Sequence, residues 1–229
     1  MYPYGIFCVG TGLSAEGGLS VQRSFSATVF QRKRSGNKVA YLTFDDGPIP
    51  EVTPKVLDIL ARYGVKATFF MVGENIDKHP EVFQQVLAAG HTIGNHTYNH
   101  LKGWNVSLEE YLANVAKCEI AMKNHLSPFT FHLSPLFRPP YGKATFLQRR
   151  ALHKKGYRLI YWDILTRDYN PTRTPEAMFR QIQRETRAGS IINFHDSLKS
   201  NERMLEVLPR AIEWLQAQGY VLDKLKIED

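Results

Sequence analysis

Cysteine is scarce in this chain, with Cys8 and Cys118 the only two in the sequence. Two thiols cannot form a disulfide framework, and alone they cannot supply a four-thiolate metal site. The sequence also lacks any run near the ~20 consecutive apolar residues that a membrane-spanning helix needs. We therefore expect neither a disulfide-stapled scaffold nor a transmembrane segment.

A convincing secretory signal is missing as well. No Lys or Arg precedes Arg23, and the apolar run from Ile6 to Val9 is shorter than the apolar core of a signal peptide. Residues 1–37 are rich in Gly and Ser and show no sustained periodicity. We interpret residues 1–37 as an N-terminal extension, and its role and the export of the chain stay open.

The charge is positive, with a formal net value of +7 over 229 residues. This length is sufficient for one sizeable core, which favours a single domain over two. A positive chain would suit an anionic partner such as nucleic acid, a phospholipid surface or an acidic cell-wall polymer. The basic residues are scattered apart from short runs such as Arg32-Lys33-Arg34, which is typical of solvated surface, so no nucleic-acid partner is predicted.

Apolar runs alternate from Lys38 onward with segments of helical period, and Pro and Gly mark several helix boundaries. Thr53-Pro54, Pro80 and Thr174-Pro175 are helix starts of this kind. The alternation predicts parallel strands joined by crossover helices, in about seven βα units. The predicted strands are Val39 to Thr43, Ala67 to Val72, His91 to Gly94, Leu136 to Arg138, Tyr157 to Trp162, Ser190 to Phe194 and Tyr220 to Leu222.

Polar residues of chemical interest follow the carboxyl ends of the predicted strands. Five strand ends that converge on one face favour a closed α/β barrel of the TIM-barrel type over an open sheet. The residues are Asp45 and Asp46 after the first strand, His96 and His100 after the third, Arg138 at the end of the fourth, Asp168 after the fifth and His195 after the sixth.

Two adjacent carboxylates, Asp45 and Asp46, directly follow the first apolar strand. Like charges this close need a cation or a proton between them. His96 and His100 are four residues apart, a spacing that lets both imidazoles reach one metal from a single helical turn. Together these four residues predict a mononuclear metal site.

Five motifs in this order resemble the NodB homology domain of the polysaccharide deacetylases, carbohydrate esterase family 4. The resemblance covers roughly Lys38 to the C-terminus, and it implies a catalytic domain over residues 38–229 with a distorted barrel of about seven βα units. The motifs are TFDDGP at Thr43 to Pro48, HTYNH at His96 to His100, RPPY at Arg138 to Tyr141, a divergent LTRDY at Leu165 to Tyr169 and IINFH at Ile191 to His195.

The resemblance implies one divalent metal ion held by Asp46, His96 and His100. One carboxylate and two imidazoles leave a fourth position for water, as in catalytic rather than structural zinc sites. Zn²⁺ is the preferred ion, with Co²⁺ and Ni²⁺ as alternatives.

The resemblance also implies roles for five further residues. Asp45 corresponds to the general base and His195 to the general acid that protonates the departing amine. Arg138 corresponds to the arginine that orients the base, and Asp168 to the aspartate that orients the histidine. The main-chain N–H of Tyr141 would join the metal in stabilising the oxyanion.

Three positions depart from the family pattern. Leu165 stands where an additional aspartate is usual, and Tyr169 stands where tryptophan is frequent. Asn193 stands where a leucine commonly lines the acetyl pocket, so the pocket is expected to be more polar or shaped for a different acyl group. Tyr141, Tyr169 and Asn193 are the predicted substrate contacts.

These observations predict a hydrolase that removes N-acetyl groups from a peptidoglycan- or chitin-like amino-sugar polymer. One alternative is an O-acetyl esterase on xylan-type sugars. A second is a catalytically impaired relative that only binds carbohydrate or an anionic polymer. The resemblance suggests a secreted or cell-envelope location, while the oligomeric state stays open.

Overall fold

The structure is a computed structural model that describes residues 38–126 and 134–226. The predicted N-terminal extension, residues 1–37, lies outside the described residues. The strands are β1 Lys38–Asp45, β2 Thr68–Met71, β3 Thr92–Asn95, β4 Leu136–Phe137, β5 Arg158–Leu159, β6 Ile164–Leu165, β7 Ser190–His195 and β8 Tyr220–Leu222. The α-helices are α1 Thr53–Arg62, α2 Gly73–Lys78, α3 Pro80–Ala88, α4 Leu108–Asn124, α5 Phe146–Lys154, α6 Pro175–Glu185 and α7 Asn201–Ala217.

The strands form one parallel sheet in the order β5-β4-β3-β2-β1-β7-β6, and β8 pairs with the beginning of β1. Helices connect most successive strands, as the alternation of the sequence predicts. The predicted α/β architecture with a distorted barrel-like sheet is therefore confirmed. Within the described ranges, no helix combines the length and the apolar character needed to cross a membrane.

The predicted strand from Tyr157 to Trp162 is confirmed only over Arg158–Leu159. The chain instead forms the two-residue strands β5 and β6, which lie at opposite edges of the sheet order. Between them the backbone crosses from one edge to the other, where the N–H of Asp163 donates to the carbonyl of Ile191 (2.9 Å). The carbonyls of Ile160 and Tyr161 accept hydrogen bonds from the Arg138 side chain instead of from a neighbouring strand. An arginine side chain thus spans the opening of the curled sheet.

Strand alternation separates the polar interior of the curl from the apolar core under the helices. Phe44, Phe69 and Phe194 lie side by side on three neighbouring strands, with ring centroids 4.9 and 5.8 Å apart. They belong to the main buried cluster, which includes residues of α1 and α7. Thr43 and Asp45, which flank Phe44, face the opposite side and reach the Arg138 guanidinium. The same alternation therefore builds the core and aims the polar side chains at the site.

Candidate metal centre and its flanking acid and base

The register of the central strands brings two predicted site residues together. Asp45 at the end of β1 is level with His195 at the end of β7. Asp46, the next residue, has a φ of 83°. This left-handed conformation interrupts the strand alternation that would otherwise send adjacent side chains to opposite faces. Both carboxylates can therefore serve one site.

Asp46, His96 and His100 form a group whose candidate ligand atoms all lie within 4.8 Å of one another. The Oδ1 atom of Asp46 lies 3.3 Å from Nε2 of His100 and 3.8 Å from Nε2 of His96. Nδ1 of His96 lies 2.7 Å from the carbonyl oxygen of Arg138, and a proton on Nδ1 leaves the Nε2 lone pair directed at the group. The predicted triad is thus assembled in space.

The prediction that both imidazoles extend from a helical turn is wrong. Residues 96–100 form an irregular loop after β3, in which Thr97 and His100 have φ values of 66° and 54°. Side chains hold this loop in place: Asn95 accepts from the N–H of Thr97 at 2.9 Å, and Asn114 of α4 accepts from the N–H of Tyr98 at 2.8 Å. A loop fixed by hydrogen bonds, rather than helical periodicity, brings the two rings together.

The donor set fits a divalent cation. Oδ1 of Asp46 is buried and has no hydrogen-bond partner, which leaves a buried carboxylate oxygen unsatisfied. Burial lowers the pKa of His96 and of His100 to about 4, so both imidazoles are neutral at pH 7, as metal ligands are. Burial also raises the pKa of Asp46, and a bound cation would offset that cost. One carboxylate and two neutral imidazoles match catalytic Zn²⁺ chemistry.

Asp45 lies at the centre of a buried hydrogen-bond network. Its Oδ1 accepts from Nη1 of Arg138 at 2.7 Å, and its Oδ2 accepts from Nδ2 of Asn193 at 3.0 Å. Burial disfavours the charged form, but Arg138 and the nearby imidazoles of His96 and His195 outweigh burial and lower the pKa of Asp45. Asp45 is therefore ionised at neutral pH and held in one orientation.

Asn193 has a different environment from the one expected. Its side chain is fully buried, and its Oδ1 accepts from Nη1 of Arg138 (2.6 Å) and from Oγ1 of Thr43 (2.9 Å). Its Nδ2 donates to Asp45. With both polar atoms used inside this network, Asn193 is placed to orient Asp45 rather than to line an acyl pocket. These contacts favour a role for Asn193 in orienting Asp45, and its expected contact with substrate stays a prediction.

His195 and Asp168 form a second polar pair beside the group of Asp46, His96 and His100, which is called the metal group below. Oδ1 of Asp168 accepts from Nδ1 of His195 at 2.7 Å, and Oδ2 accepts from the main-chain N–H of His195 at 2.7 Å. Burial lowers the pKa of His195, but the charge and hydrogen bond of Asp168 outweigh it and raise the pKa to about 9. His195 is therefore a protonated imidazolium at neutral pH.

Two tyrosines stand at the mouth of the site. The ring of Tyr141 lies 4.6 Å from the ring of His100, and Tyr141 has a φ of 61°. The ring of Tyr169 meets that of His195 edge-on, with centroids 4.9 Å apart. Both tyrosines are exposed, at 45% and 41% of their surface. Their predicted contact with substrate fits these positions and stays a prediction.

Asp196 is a site residue that the sequence analysis did not single out. It is buried and accepts from the N–H of Gly47 (3.1 Å) and the hydroxyl of Thr53 (2.6 Å), while its own N–H donates to the carbonyl of Asp45. A Cβ on Gly47 would lie 2.1 Å from Oδ2 of Asp196, so only glycine fits there. The sequence feature that could have indicated Asp196 is its position directly after His195, at the end of a buried strand.

The fold and site define an α/β protein with an Asp-His-His group at the carboxyl ends of a curled parallel sheet. The family model for polysaccharide deacetylase matches residues 32–160. The chain belongs to the polysaccharide deacetylase family, which confirms the resemblance seen in the motifs.

Individual relatives agree with this assignment. The chain is 31% identical to a peptidoglycan-N-acetylglucosamine deacetylase of Bacillus cereus, over 81% of this chain and 85% of that protein. It is 32% identical to a chitooligosaccharide deacetylase of Azorhizobium caulinodans, over 81% of this chain and 91% of that protein. A solved peptidoglycan N-acetylglucosamine deacetylase superposes with a TM-score of 0.78 at 29% identity, and the match covers 82% of this chain and 86% of that one.

Proposed function

We propose that this chain is a metal-dependent hydrolase that removes N-acetyl groups from an amino-sugar polymer or oligomer. The observation that carries this proposal is the arrangement of two ionised pairs around the Asp-His-His group. The Asp45–Arg138 pair supplies a carboxylate held by a guanidinium, and the Asp168–His195 pair supplies an imidazolium held by a carboxylate. Hydrolysis of an amide needs both a base for water and an acid for the leaving amine.

Asp46, His96 and His100 would hold the cation, which we propose to be Zn²⁺, with Co²⁺ and Ni²⁺ as substitutes. When bound, the cation lowers the pKa of coordinated water and polarises the acetyl carbonyl. The carboxylate of Asp45 takes the proton from the attacking water, because its low pKa keeps it ionised and Arg138 and Asn193 fix its direction.

The remaining residues act on the tetrahedral intermediate and on the leaving group. The main-chain N–H of Tyr141 donates to the oxyanion. His195 holds its proton up to about pH 9, so it can transfer that proton to the departing amine at neutral pH. Asp168 acts as a positioning residue, because its carboxylate fixes the ring of His195 through Nδ1 and leaves Nε2–H free to point at substrate.

The test is acetate release by metal-stripped protein, with and without added Zn²⁺, from chito-oligosaccharides, peptidoglycan fragments and acetylated xylan. We expect release from an N-acetylated glycan that depends on Zn²⁺ and is lost in Asp45→Asn and in His96→Ala. His153→Ala is the matched control, because His153 is exposed at the far end of α5.

Two results would overturn the proposal. Release from acetylated xylan alone would identify an O-acetyl esterase. No release from any of the three, despite stoichiometric Zn²⁺ that His96→Ala fails to bind, would identify a binding protein on an enzyme fold.

A further inference from the structure

Two exposed aromatic rings lie beside the metal group and have no part in the chemistry proposed above. The rings of Trp104 and Tyr141 meet edge-on with centroids 5.3 Å apart, and Tyr141 also lies 4.6 Å from the ring of His100. Trp104 is 44% exposed and Tyr141 is 45% exposed. We call this pair of rings the aromatic platform. Its position next to a metal ligand puts it within one sugar ring of the reacting group.

The aromatic platform is held rigidly by the two loops that carry it. Trp104 belongs to a short 3₁₀ helix, Gly103–Asn105, after β3, and Tyr141 follows β4. The buried side chain of Gln148, in the first turn of α5, donates from Nε2 to the carbonyl of Gly103 at 2.7 Å and so ties the segment that carries Trp104 to α5. A Cβ at Gly103 would lie 2.7 Å from the Tyr111 ring. Only glycine therefore fits at position 103, where the backbone beside Trp104 packs closely against Tyr111.

A lysine stands over each ring of the aromatic platform. Nζ of Lys102 lies 5.7 Å from the centre of the Tyr141 ring, and Nζ of Lys143 lies 5.3 Å from the centre of the Trp104 ring. Both lysines are exposed. Over residues 38–126 and 134–226, neither ammonium group takes part in an ion pair with a carboxylate. Two positive charges without a carboxylate partner therefore border the exposed rings of Trp104 and Tyr141 beside the Asp46-His96-His100 group.

We propose that Lys102 and Lys143 select a glycan in which the sugar next to the acetylated residue carries a carboxylate. This inference rests on the proposed deacetylase function and names its substrate class. The apolar face of that neighbouring pyranose packs on Trp104, and its carboxylate accepts hydrogen bonds from the two ammonium groups. The occupant with this chemistry is an amino-sugar strand in which alternate sugars bear an ether-linked lactyl carboxylate, as in a peptidoglycan strand without peptides.

A neutral sugar would not need the lysines. An aromatic face alone is sufficient for stacking, as charge plays no part in that contact. Exposed ammonium groups contribute through charge attraction, which is weak for each pair and is screened by salt. The lysines should therefore affect the choice between acidic and neutral glycans, while Trp104 should affect both.

The test compares two tetrasaccharides: chitotetraose, which is neutral, and a strand fragment of equal length with a lactyl carboxylate on alternate sugars. Kinetics are measured on the Zn²⁺-loaded enzyme for the wild type and for the double variant Lys102→Gln/Lys143→Gln. We expect the wild type to favour the acidic fragment. In the double variant, KM for the acidic fragment should be about fivefold higher, with little change in kcat for that fragment. The kinetics with neutral chitotetraose should change little.

Three comparisons sharpen the test. Lys102→Arg/Lys143→Arg should keep the preference, because it keeps both charges. Lys38→Gln/Lys154→Gln removes the same net charge at the opposite end of the sheet, where β1 begins and α5 ends, and should also keep it. Trp104→Ala should raise KM for both substrates. Raising the salt from about 50 to about 300 mM should reduce the wild-type preference.

Binding to the Asp45→Asn protein, followed by calorimetry, gives a readout that needs no turnover. Equal kcat/KM for the two fragments in the wild type, together with equal binding affinity for them, would overturn the inference and leave the deacetylase function standing. A preference that survives in the Gln double variant would also overturn it. If neither fragment is hydrolysed, the proposed function fails. Tighter binding of the acidic fragment than of the neutral one, lost in the Gln double variant, would still support the role of Lys102 and Lys143 in selecting the carboxylate.

Discussion

At the scale of single residues, the mechanism proposed above divides the acid and base functions between two ionised pairs with opposite arrangements. Arg138 stabilises the negative form of Asp45, while Asp168 stabilises the positive form of His195. Each partner acts by charge and by a hydrogen bond of 2.7 Å. The electrostatic requirement is the same for Asp45 and His195, because burial opposes the charged form of each and the partner has to outweigh it.

The pH dependence of the reaction should follow the Asp168–His195 pair. In the proposed mechanism His195 acts as an acid only while protonated. Its pKa of about 9 keeps it protonated at neutral pH, so activity on amides should fall as the pH rises through about 9. Asp168→Asn removes the charge that raises this pKa. We expect the basic limb of the kcat profile to move down by about 1–3 pH units.

The measurement is kcat between about pH 6 and pH 10 for an N-acetylated glycan, with an activated acetyl ester as the control substrate. The ester has a leaving group that needs no proton, so Asp168→Asn should affect its basic limb much less. An unchanged basic limb for the amide would contradict the role of Asp168. His195→Ala should reduce kcat for the amide by about 10²–10⁴-fold.

The sequence was sufficient to predict which side chains meet, but not all of their contacts. The adjacent carboxylates Asp45 and Asp46 and the spacing of His96 and His100 predicted a metal site, and the family resemblance implied Asp46 as its carboxylate ligand. Asn193 was expected to line a pocket because it stands where the family commonly has a leucine there, and the sequence does not show which side chains surround it. The structure places it against Arg138, which reaches the interior of the curl from another strand end.

At the scale of secondary structure elements, the long periodic segments and β4 were predictable, whereas the bounds of β5 and the existence of β6 were not. β1 and β7 contain continuous apolar runs, and α3 and α6 begin at Pro80 and Pro175, the prolines that predicted their starts. β5 and β6 are too short to show a period, and only backbone pairing with β4 and β7 defines them. The polar partner that satisfies the backbone between them, Arg138, is distant in sequence.

Asp196 links three elements, because it follows β7 and binds the loop after β1 and the first residue of α1. Asp196→Ala leaves the buried N–H of Gly47 and hydroxyl of Thr53 without their acceptor. We expect a loss of about 2–4 kcal/mol in the free energy of unfolding. The loop carries Asp46, so the affinity for Zn²⁺ should fall as well.

The two effects are separated by denaturant unfolding of the metal-free protein and by calorimetric titration with Zn²⁺. Thr53→Val is the companion variant, since it removes the hydrogen bonds of Thr53 to Asp196 and from the N–H of Ile49 but leaves the one from Gly47, next to Asp46, to Asp196. It should cost less stability than Asp196→Ala and change Zn²⁺ affinity less. Loss of stability with unchanged Zn²⁺ affinity in Asp196→Ala would assign Asp196 to the fold alone.

At the scale of the whole molecule, the sheet order explains why Asp46, His96 and His100 come together only in the folded chain. Asp46 and His96 are distant in sequence, and the loops after β1 and β3 bring them together across β2. An ion that binds the native state but not the unfolded chain stabilises the protein by mass action. The stabilisation should therefore depend on the three ligands rather than on total charge.

Zn²⁺ should raise the melting temperature of the metal-free protein. At a concentration about 100 times Kd the gain is about 2.7 kcal/mol, which for a chain of this size corresponds to about 5–10 °C. Scanning calorimetry of the wild type, His100→Ala and the surface control His153→Ala should show the full shift in the first and third only. Mg²⁺ should give no comparable shift, because it prefers oxygen ligands to imidazoles. An equal Zn²⁺ shift in His100→Ala would mean that the ion binds elsewhere, which would remove the basis for assigning Asp46, His96 and His100 as its ligands.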